Sequence, residues 1–207
     1  MCLIIHKPAG AEIPADLLAA AAVHNGEGWG LMGFDEGGRL LIEKRAVVNV
    51  DELVDVERAH RGAEYVLHLR RQTKGGSGID NVHPFKIVDG VYLMHNGTLK
   101  LDTRVPGKSD TWHFVADVLR PLAQRHPGLL SDYAFIQVLE HGLRAENKLA
   151  LLDQRLRRIV LVNRAHGVEV DGLWISNTRW LDRKLFPLAQ PLQPQETQYG
   201  AQELRFV

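Results

Sequence analysis

The order of strand-like and helix-like segments constrains the fold of this chain more than any other sequence feature. Short apolar runs bounded by turn residues, which are typical of strands, occur in the first hundred residues and again in the last third. Two helical segments separate these blocks, one from Ser109 or Asp110 to about Arg125 and one from Asp132 to Leu143. Because the order is strands, helices, strands, it predicts an α+β protein with sheets and helices in separate layers.

Periodicity and turn signals place the remaining segments. Strands are predicted at Cys2–His6, Gly28–Asp35, Arg39–Glu43, Tyr65–Arg70, Lys86–Val88, Val91–His95, Lys148–Leu152, Arg158–Asn163, Val168–Val170 and Leu173–Ser176, and two further helices at about 14–24 and at Asp51–His60. Residues 71–82 form a long glycine-rich loop, of a kind that often carries function. No linker or break in composition divides the chain, so residues 1–207 are predicted to be one domain with an irregular tail from about 187.

Composition excludes several classes of protein. Lys and Arg total 25 and Asp and Glu total 25, so no net charge favours nucleic acid or an anionic membrane as a partner. No apolar run reaches the roughly 18 residues of a membrane span, and the first residues lack the pattern of a signal peptide. With a single cysteine the chain cannot form an internal disulfide, so we expect a reducing, cytoplasmic setting.

That single cysteine, Cys2, has two interpretations. Its position on an apolar strand favours a small buried hydrophobic residue. Removal of Met1 would instead leave a thiol and a free α-amine on one residue, and an α-amine with a pKa of about 7.7–8.0 can take the thiol proton directly or through a water. The second interpretation requires partners for a substrate elsewhere in the chain.

Other motif candidates are weak. Gly107-Lys108-Ser109 imitates the end of a phosphate-binding loop, but the first glycine of that motif would fall at Asp102. The glycine-rich run 74–78 lacks the spacing of a dinucleotide fingerprint, and the histidines lack zinc-ligand spacing. We therefore predict no cofactor and no metal.

Four clusters of polar residues could supply the substrate-binding partners that the second interpretation of Cys2 requires. The chain contains the runs His68-Leu69-Arg70-Arg71-Gln72-Thr73, Asn81-Val82-His83-Pro84-Phe85, His95-Asn96-Gly97 and Ser109-Asp110-Thr111. With Cys2, these resemble the motifs of the class II glutamine amidotransferases, the glutaminase domains of the N-terminal-nucleophile hydrolase superfamily. The resemblance spans at least residues 2–111, and clusters in order are more specific than any one alone. It implies a four-layer αββα sandwich with Cys2 at the end of a central strand.

The resemblance also implies roles for individual residues. Cys2 would be the nucleophile and its α-amine the base, with the Asn96 side chain and the Gly97 N–H as the oxyanion hole. Arg70 would bind the α-carboxylate of L-glutamine, Thr73 would contribute near it, and Asp110 would bind the α-ammonium. The implied products are glutamate and ammonia, formed through a γ-glutamyl thioester, with ammonia passed to a separate synthetase or ligase.

Alternatives remain open for each residue and for the whole chain. Taken singly, Arg70 could be a surface charge, Asp110 a helix cap and Asn96-Gly97 a turn. A Cys–His pair with His95 is disfavoured, because in a continuous strand His95 and Asn96 face opposite ways, and packing roles are expected for His95 and His83. The chain could also hydrolyse another amide or γ-glutamyl compound, or be a non-catalytic binding module on the same fold.

The chain departs from the family pattern at a few positions. Arg71 and Gln72 replace the aromatic and small residues that commonly follow the motif arginine, and Lys74 stands where many members have histidine. The run Asn25-Gly26-Glu27 differs from the Asp-containing version of many relatives. We therefore assign His24, Asn25 and Glu27 only supporting roles around the site.

Overall fold

The computed structural model describes residues 2–73 and 75–180, which form two antiparallel sheets. The strands are β1 Leu3–Lys7, β2 Trp29–Phe34, β3 Leu40–Arg45, β4 Glu64–Leu69, β5 Phe85–Val88, β6 Val91–Asn96, β7 Lys148–Asp153, β8 Arg158–Val162, β9 Val168–Val170 and β10 Leu173–Ile175. One sheet has the order β3-β2-β4-β1-β10-β9 and the other β5-β6-β7-β8. The predicted tail from about 187 lies outside the described residues.

The helices cover the outer face of each sheet. They are α1 Ala15–His24, α2 Val50–Ala59, α3 Asp110–His113, α4 Arg120–Arg125 and α5 Tyr133–Gly142. Side chains of α1 and α2, among them Leu18 and Leu53, pack on the outer face of the six-stranded sheet. The segment from α3 to α5 packs on the four-stranded sheet through residues such as Leu119 and Ile136.

A third core fills the space between the two sheets and completes the predicted sandwich. Ile4 of β1, Val66 of β4, Met94 of β6 and Leu152 of β7 meet there. Their strand neighbours point the other way, towards the helices, because side chains alternate along a strand. The result is the four-layer αββα architecture predicted from the sequence.

Polar side chains start the helices where the sequence indicates. Asn49 Oδ1 accepts hydrogen bonds from the N–H groups of Asp51 and Glu52, at 2.9 and 3.2 Å. Ser109 Oγ accepts from Trp112 N–H at 3.2 Å, and Asp132 Oδ1 accepts from Phe135 N–H at 3.0 Å. Each side chain supplies an acceptor to backbone donors that have no partner within the first turn.

The prediction of one unbroken helix from Ser109 or Asp110 to about Arg125 is wrong in one respect. A stretch of π-helix at Phe114–Leu119 separates α3 from α4. Pro121, in the first turn of α4, has no N–H to donate to the preceding turn, so the α-helical hydrogen-bond pattern is interrupted there.

Two strands were predicted one residue too long, β1 at its start and β4 at its end. Cys2 precedes β1 and Arg70 follows β4, although the sequence placed both inside strands. The Cys2 carbonyl accepts from Asn177 Nδ2 at 2.9 Å and the Arg70 N–H donates to the Gly28 carbonyl at 2.8 Å, in place of bonds between β1 and β4. Since Leu3 pairs with Leu69, both residues lie at the same edge of the sheet.

Among the described residues, no helix is long and apolar enough to cross a membrane.

Candidate active site

The ends of four strands meet at one edge of the sandwich, and three of them carry residues that the sequence predicted for the site. Cys2 precedes β1, Arg70 follows β4, Asn96 ends β6, and Ser176 follows β10. Because β1 is antiparallel to both β4 and β10, the start of β1 lies beside the ends of those two strands. Asn96 reaches the same edge from the four-stranded sheet and bonds to Ser176.

Cys2 is partly buried and is held by hydrogen bonds to the Arg71 backbone and to the Asn177 side chain. Its thiol donates to the Arg71 carbonyl at 3.3 Å, the Arg71 N–H lies 3.5 Å from Sγ, and Asn177 holds its carbonyl. Burial raises the pKa of the Cys2 thiol above its ordinary value, and this outweighs the lowering by the Arg71 N–H and by the positive charge of Arg70. The negative charge of Asp110 also raises the pKa. The thiol therefore needs a base to become a nucleophile at neutral pH.

Arg70 presents one free arm of its guanidinium. The side chain is 3% exposed, and Nη2 donates to the Gly76 carbonyl at 2.9 Å. Nη1 is buried and has no hydrogen-bond partner in the part of the chain that the structure describes. A buried guanidinium with an unpaired donor is suited to a carboxylate, which can satisfy the donor and neutralise the charge.

Asn81 connects the Arg70 loop to the turn before α3. Its Nδ2 donates to the carbonyls of Gly76 at 3.0 Å and Gly107 at 2.8 Å, and its Oδ1 accepts from the Ser109 N–H at 2.9 Å. The same Gly76 carbonyl accepts from Arg70. Asn81 thus fixes the distance between the arginine and the residue that precedes Asp110, which accounts physically for an asparagine at this place in its motif.

Asp110 is a buried carboxylate held by backbone donors. It is 5% exposed, its Oδ2 accepts from the Leu99 N–H at 2.7 Å, and its Oδ1 accepts from the Thr111 N–H at 2.9 Å. Asn81 connects Ser109, which precedes Asp110, to the Gly76 carbonyl that Arg70 binds, and the Cys2 thiol is bonded to the Arg71 backbone. The motif resemblance implied one site with these three groups, and their roles in it stay a prediction.

Asn96 and Gly97 adopt a conformation that packing enforces. Asn96 is 1% exposed, with Nδ2 donating to Ser176 Oγ at 2.7 Å and Oδ1 buried without a partner among the described residues. Gly97 has φ +148°, and a Cβ there would lie 2.4 Å from Asn147 Oδ1 and 2.9 Å from His95 Nε2. A larger residue at 97 would collide with Asn147 and displace the backbone beside Asn96.

The histidines near the site are buried in packing roles. His95 faces away from the space between the sheets, with Nδ1 2.8 Å from Thr111 Oγ1 and Nε2 3.0 Å from Asn147 Oδ1, and burial lowers its pKa. The rings of His68 and His83 stack at 4.0 Å, and burial lowers the pKa of His68 to about 3. These contacts agree with the packing roles predicted for His95 and His83.

Two of the residues with assigned supporting roles form hydrogen bonds within the chain. A carboxylate oxygen of Glu27 accepts from the Gln72 N–H, and Asn25 Nδ2 donates to the Ala21 carbonyl at the end of α1. Thr73 is exposed on the loop that follows Arg70, and its part in substrate binding stays a prediction. The supporting roles assigned to His24, Asn25 and Glu27 from the sequence stay predictions.

Sequence reasoning missed Ser176 and Asn177. The sequence placed Ser176 at the end of a strand and gave neither residue a role, yet Asn177 holds the Cys2 carbonyl and Ser176 holds the Asn96 side chain. The available signal was the polar run that directly follows the buried strand β10. Periodicity alone does not show that β10 pairs with β1, so this signal could not be connected to Cys2.

Comparison with known proteins gives one match to a family and several to structures. Residues 16–152 match the family described as class II glutamine amidotransferases. No curated protein matches the chain at the significance required.

Three solved structures illustrate the likeness. A glutamine phosphoribosylpyrophosphate amidotransferase from B. subtilis, complexed with ADP and GMP, is 17% identical with a TM-score of 0.50 over 88% of this chain and 43% of its own. An allosteric regulatory enzyme of purine biosynthesis is 19% identical with a TM-score of 0.46 over 88% and 43%. A glutamine aminotransferase class-II domain protein from Silicibacter pomeroyi is 14% identical with a TM-score of 0.37 over 74% and 73%.

The chain spans less than half the length of the first two of these proteins. At 17% identity, the likeness to the B. subtilis structure shows a shared fold and leaves the chemistry to be argued from the site.

Proposed function

Because this chain belongs to the class II glutamine amidotransferases, we propose that it hydrolyses the side-chain amide of L-glutamine with Cys2 as the nucleophile. The observation that supports the proposal is that the Cys2 thiol is bonded to the Arg71 backbone, next to the buried Arg70 with its free donor, while Asn81 links the Arg70 loop to Ser109, next to the buried Asp110. An amino acid carries the complementary pair of charges on its α-carbon. Its side chain then extends towards the thiol.

Substrate binding follows from these charges. Arg70 Nη1 pairs with the α-carboxylate while Nη2 stays on the Gly76 carbonyl, and Thr73 lies on the adjoining loop. The Asp110 carboxylate, whose geometry is fixed by two backbone N–H groups, binds the α-ammonium. Two opposite charges recognised at fixed positions orient the carboxamide at Cys2 and select an α-amino acid.

The reaction uses the free α-amine of Cys2 after Met1 has been removed. The amine takes the thiol proton, and Sγ bonds to the carboxamide carbon while the carbonyl π-bond opens to an oxyanion. A side-chain N–H of Asn96 and the backbone N–H of Gly97 stabilise that oxyanion. The protonated α-amine of Cys2 then returns the proton to the leaving nitrogen. The oxyanion collapses to a carbonyl, the C–N bond breaks, and ammonia departs, which leaves a γ-glutamyl thioester on Cys2.

Hydrolysis of the thioester regenerates the enzyme. The α-amine takes a proton from water, and the hydroxide oxygen bonds to the acyl carbon while the carbonyl π-bond opens to an oxyanion. The oxyanion collapses with cleavage of the C–S bond, glutamate leaves, and the protonated α-amine returns its proton to the Cys2 thiolate. We propose that the ammonia is used by a separate acceptor enzyme, a synthetase or ligase, and that residues 1–207 act as one glutaminase domain.

Substitution of Cys2 tests the proposal. Cys2→Ala removes the nucleophile and is expected to lower glutamine-dependent ammonia release by at least about 10⁴-fold, to background. Cys2→Ser replaces the thiol by a hydroxyl and is expected to lose most activity too, because an α-amine generates an alkoxide less readily than a thiolate. Thermal melting checks that both variants fold.

The outcome also separates the proposal from its alternatives. Glutaminase activity retained in Cys2→Ala would contradict the mechanism. Activity of the unmodified chain on other γ-glutamyl amides but not on glutamine would contradict the substrate assignment.

A further inference from the structure

Ser176 occupies a buried position between the nucleophile strand and the predicted oxyanion hole. It is 0% exposed, its Oγ accepts from the Ile4 N–H at 2.9 Å, and it lies 2.7 Å from the Asn96 side-chain amide. Its own N–H donates to the Ile4 carbonyl at 2.9 Å, so the residue is fixed by three bonds. The family match at 16–152 does not include it.

Counting donors and acceptors shows what this hydroxyl can do. A serine hydroxyl has one hydrogen and two lone pairs, and the Ile4 N–H uses one lone pair. If Asn96 Nδ2 uses the second lone pair, the serine hydrogen has no acceptor among the described residues and the buried Asn96 Oδ1 has no donor. In this orientation, the hydrogen bond between the two side chains leaves the serine hydrogen and Asn96 Oδ1 buried without partners.

A half-turn of the Asn96 amide about Cβ–Cγ reduces these two unsatisfied groups to one. The Ser176 O–H then donates to Oδ1, and Nδ2 takes the position that Oδ1 held. The two amide orientations have nearly the same shape, so the hydrogen-bond partner decides between them. The exchange turns the unpartnered acceptor into an unpartnered N–H donor at the same place.

The orientation decides whether Asn96 can take part in catalysis. An amide oxygen facing the reacting carbonyl repels a developing oxyanion, whereas an amide N–H stabilises it. We propose that Ser176 is a positioning residue that relays the Ile4 N–H through its hydroxyl to Asn96 Oδ1 and thereby directs Nδ2 at the oxyanion. This inference rests on the proposed function, since it assigns a role within the same reaction.

The geometry couples this relay to the nucleophile. Ile4 lies in β1, two residues after Cys2, and Asn177, which follows Ser176, holds the Cys2 carbonyl at 2.9 Å. The residues that follow β10 therefore fix both the backbone of the nucleophile, Cys2, and the Asn96 amide that is proposed to bind the oxyanion. A change at Ser176 alters the donor while leaving the Arg70 and Asp110 contacts in place.

The first test compares Ser176→Ala with Ser131→Ala. Ser131 also donates from a serine hydroxyl, to Asp153 at 2.9 Å, but at the opposite end of the four-stranded sheet. Ser176→Ala is expected to lower kcat by about 10- to 100-fold, below the full loss of an oxyanion donor, with KM for glutamine changed by less than about twofold. Ser131→Ala is expected to change neither value.

A reaction-like ligand gives a readout that a general loss of structure would not produce. The γ-aldehyde analogue of glutamine accepts Sγ at its carbonyl carbon, and the thiol proton passes to the α-amine while the oxygen becomes an oxyanion. Its affinity is expected to fall in Ser176→Ala by the same factor as kcat, while the affinity for glutamate stays within about twofold. Ser176→Thr, which keeps the hydroxyl, is expected to restore the wild-type ratio of the two affinities.

A double-mutant cycle with Asn96→Ala completes the test. If Ser176 acts through Asn96, Ser176→Ala has no further effect on kcat in the Asn96→Ala background. Independent losses in the cycle, or equal losses of aldehyde and glutamate affinity, overturn the inference while glutaminase activity of the wild type upholds the proposed function. A wild-type chain that neither turns over glutamine nor binds the aldehyde overturns both.

Discussion

At the scale of single residues, the candidate site contains buried polar groups that lack a hydrogen-bond partner among the described residues. Arg70 Nη1 has no partner in the described chain, and burial raises the pKa of the Cys2 thiol. Unpaired buried donors reduce stability unless a ligand satisfies them. The unpaired arginine donor supports the proposed binding of a substrate carboxylate, and the raised thiol pKa means that the proposed mechanism requires a base.

Arg70→Lys tests the carboxylate assignment. A lysine ammonium lacks the planar fork and cannot reach both the Gly76 carbonyl and a substrate carboxylate with the same geometry. We expect KM for glutamine to rise by about 10- to 100-fold, the range for a lost hydrogen bond to a charged group. Steady-state kinetics measures the change.

The matched control is Arg58→Lys on the outer helix α2, where Arg58 forms an exposed pair with Asp55 at 3.0 Å. This variant is expected to leave KM unchanged. An unchanged KM in Arg70→Lys would exclude Arg70 from the glutamine pocket.

The titration of Cys2 provides a second prediction at this scale. Because burial raises the thiol pKa, a chain that retains Met1 has less thiolate at pH 7 than a free cysteine, and its thiolate fraction rises only as the pH passes the raised value. Alkylation by iodoacetamide is therefore expected to be slow at pH 7 and to accelerate with increasing pH. With Met1 removed, the adjacent α-amine takes the proton, so alkylation at pH 7 is expected to be faster.

Intact mass after timed alkylation measures both rates, since Cys2 is the only cysteine in the sequence. Equal rates for the two forms at pH 7 would show that the α-amine does not act on the thiol.

At the scale of secondary-structure elements, loops hold the site together through backbone carbonyls. The loop after β4 and the turn before α3 are connected by the Asn81 side chain, which makes three hydrogen bonds. Neither segment contributes much to the apolar cores. Their relative position therefore depends on polar contacts more than on packing.

Asn81→Ala tests this dependence. Loss of three partly buried hydrogen bonds is expected to reduce the free energy of unfolding by about 2–4 kcal/mol. It is also expected to raise KM for glutamine, because Arg70 and Asp110 lose their common brace. Urea unfolding and glutaminase kinetics measure the two effects, and a variant with wild-type KM would show that the brace does not set the pocket.

The elements also show how much of the fold and the site the sequence could predict. Alternation and turn residues located the strands to within about two residues, because each strand buries one apolar face or both. They placed Arg70 and Cys2 in strands rather than just beyond them, since an apolar pattern does not show where ladder bonds stop. The widened turn at Phe114–Leu119 depends on Pro121 and on packing, and it was missed.

At the scale of the whole molecule, the site is a product of long-range pairing. Cys2 and Asn177 are 175 positions apart, and Asn96 and Ser176 are 80 apart. Local patterns cannot predict these contacts, because they fix where a strand ends and not which strand lies beside it. The motif resemblance supplied Arg70, Asn96 and Asp110, whereas Ser176 required the sheet order.

The sandwich also explains why so few residues can carry the chemistry. Strand ends from both sheets meet at the edge where Cys2, Asn96 and Ser176 lie. Strands hold these groups in fixed positions, which suits the proposed reaction because it depends on fixed donors. In the proposed mechanism, removal of Met1 supplies the free α-amine that acts as the base.

The most direct measurement of the central claim is glutamine hydrolysis by two forms of the same chain that differ only in the N-terminal residue, each verified by intact mass. The form that begins at Cys2 is expected to release glutamate and ammonia in equal amounts, and the form that retains Met1 is expected to be at least about 100-fold slower, because its α-amine is not on the nucleophile. Equal rates from the two forms, or no glutamine hydrolysis by the form that begins at Cys2, would contradict the account.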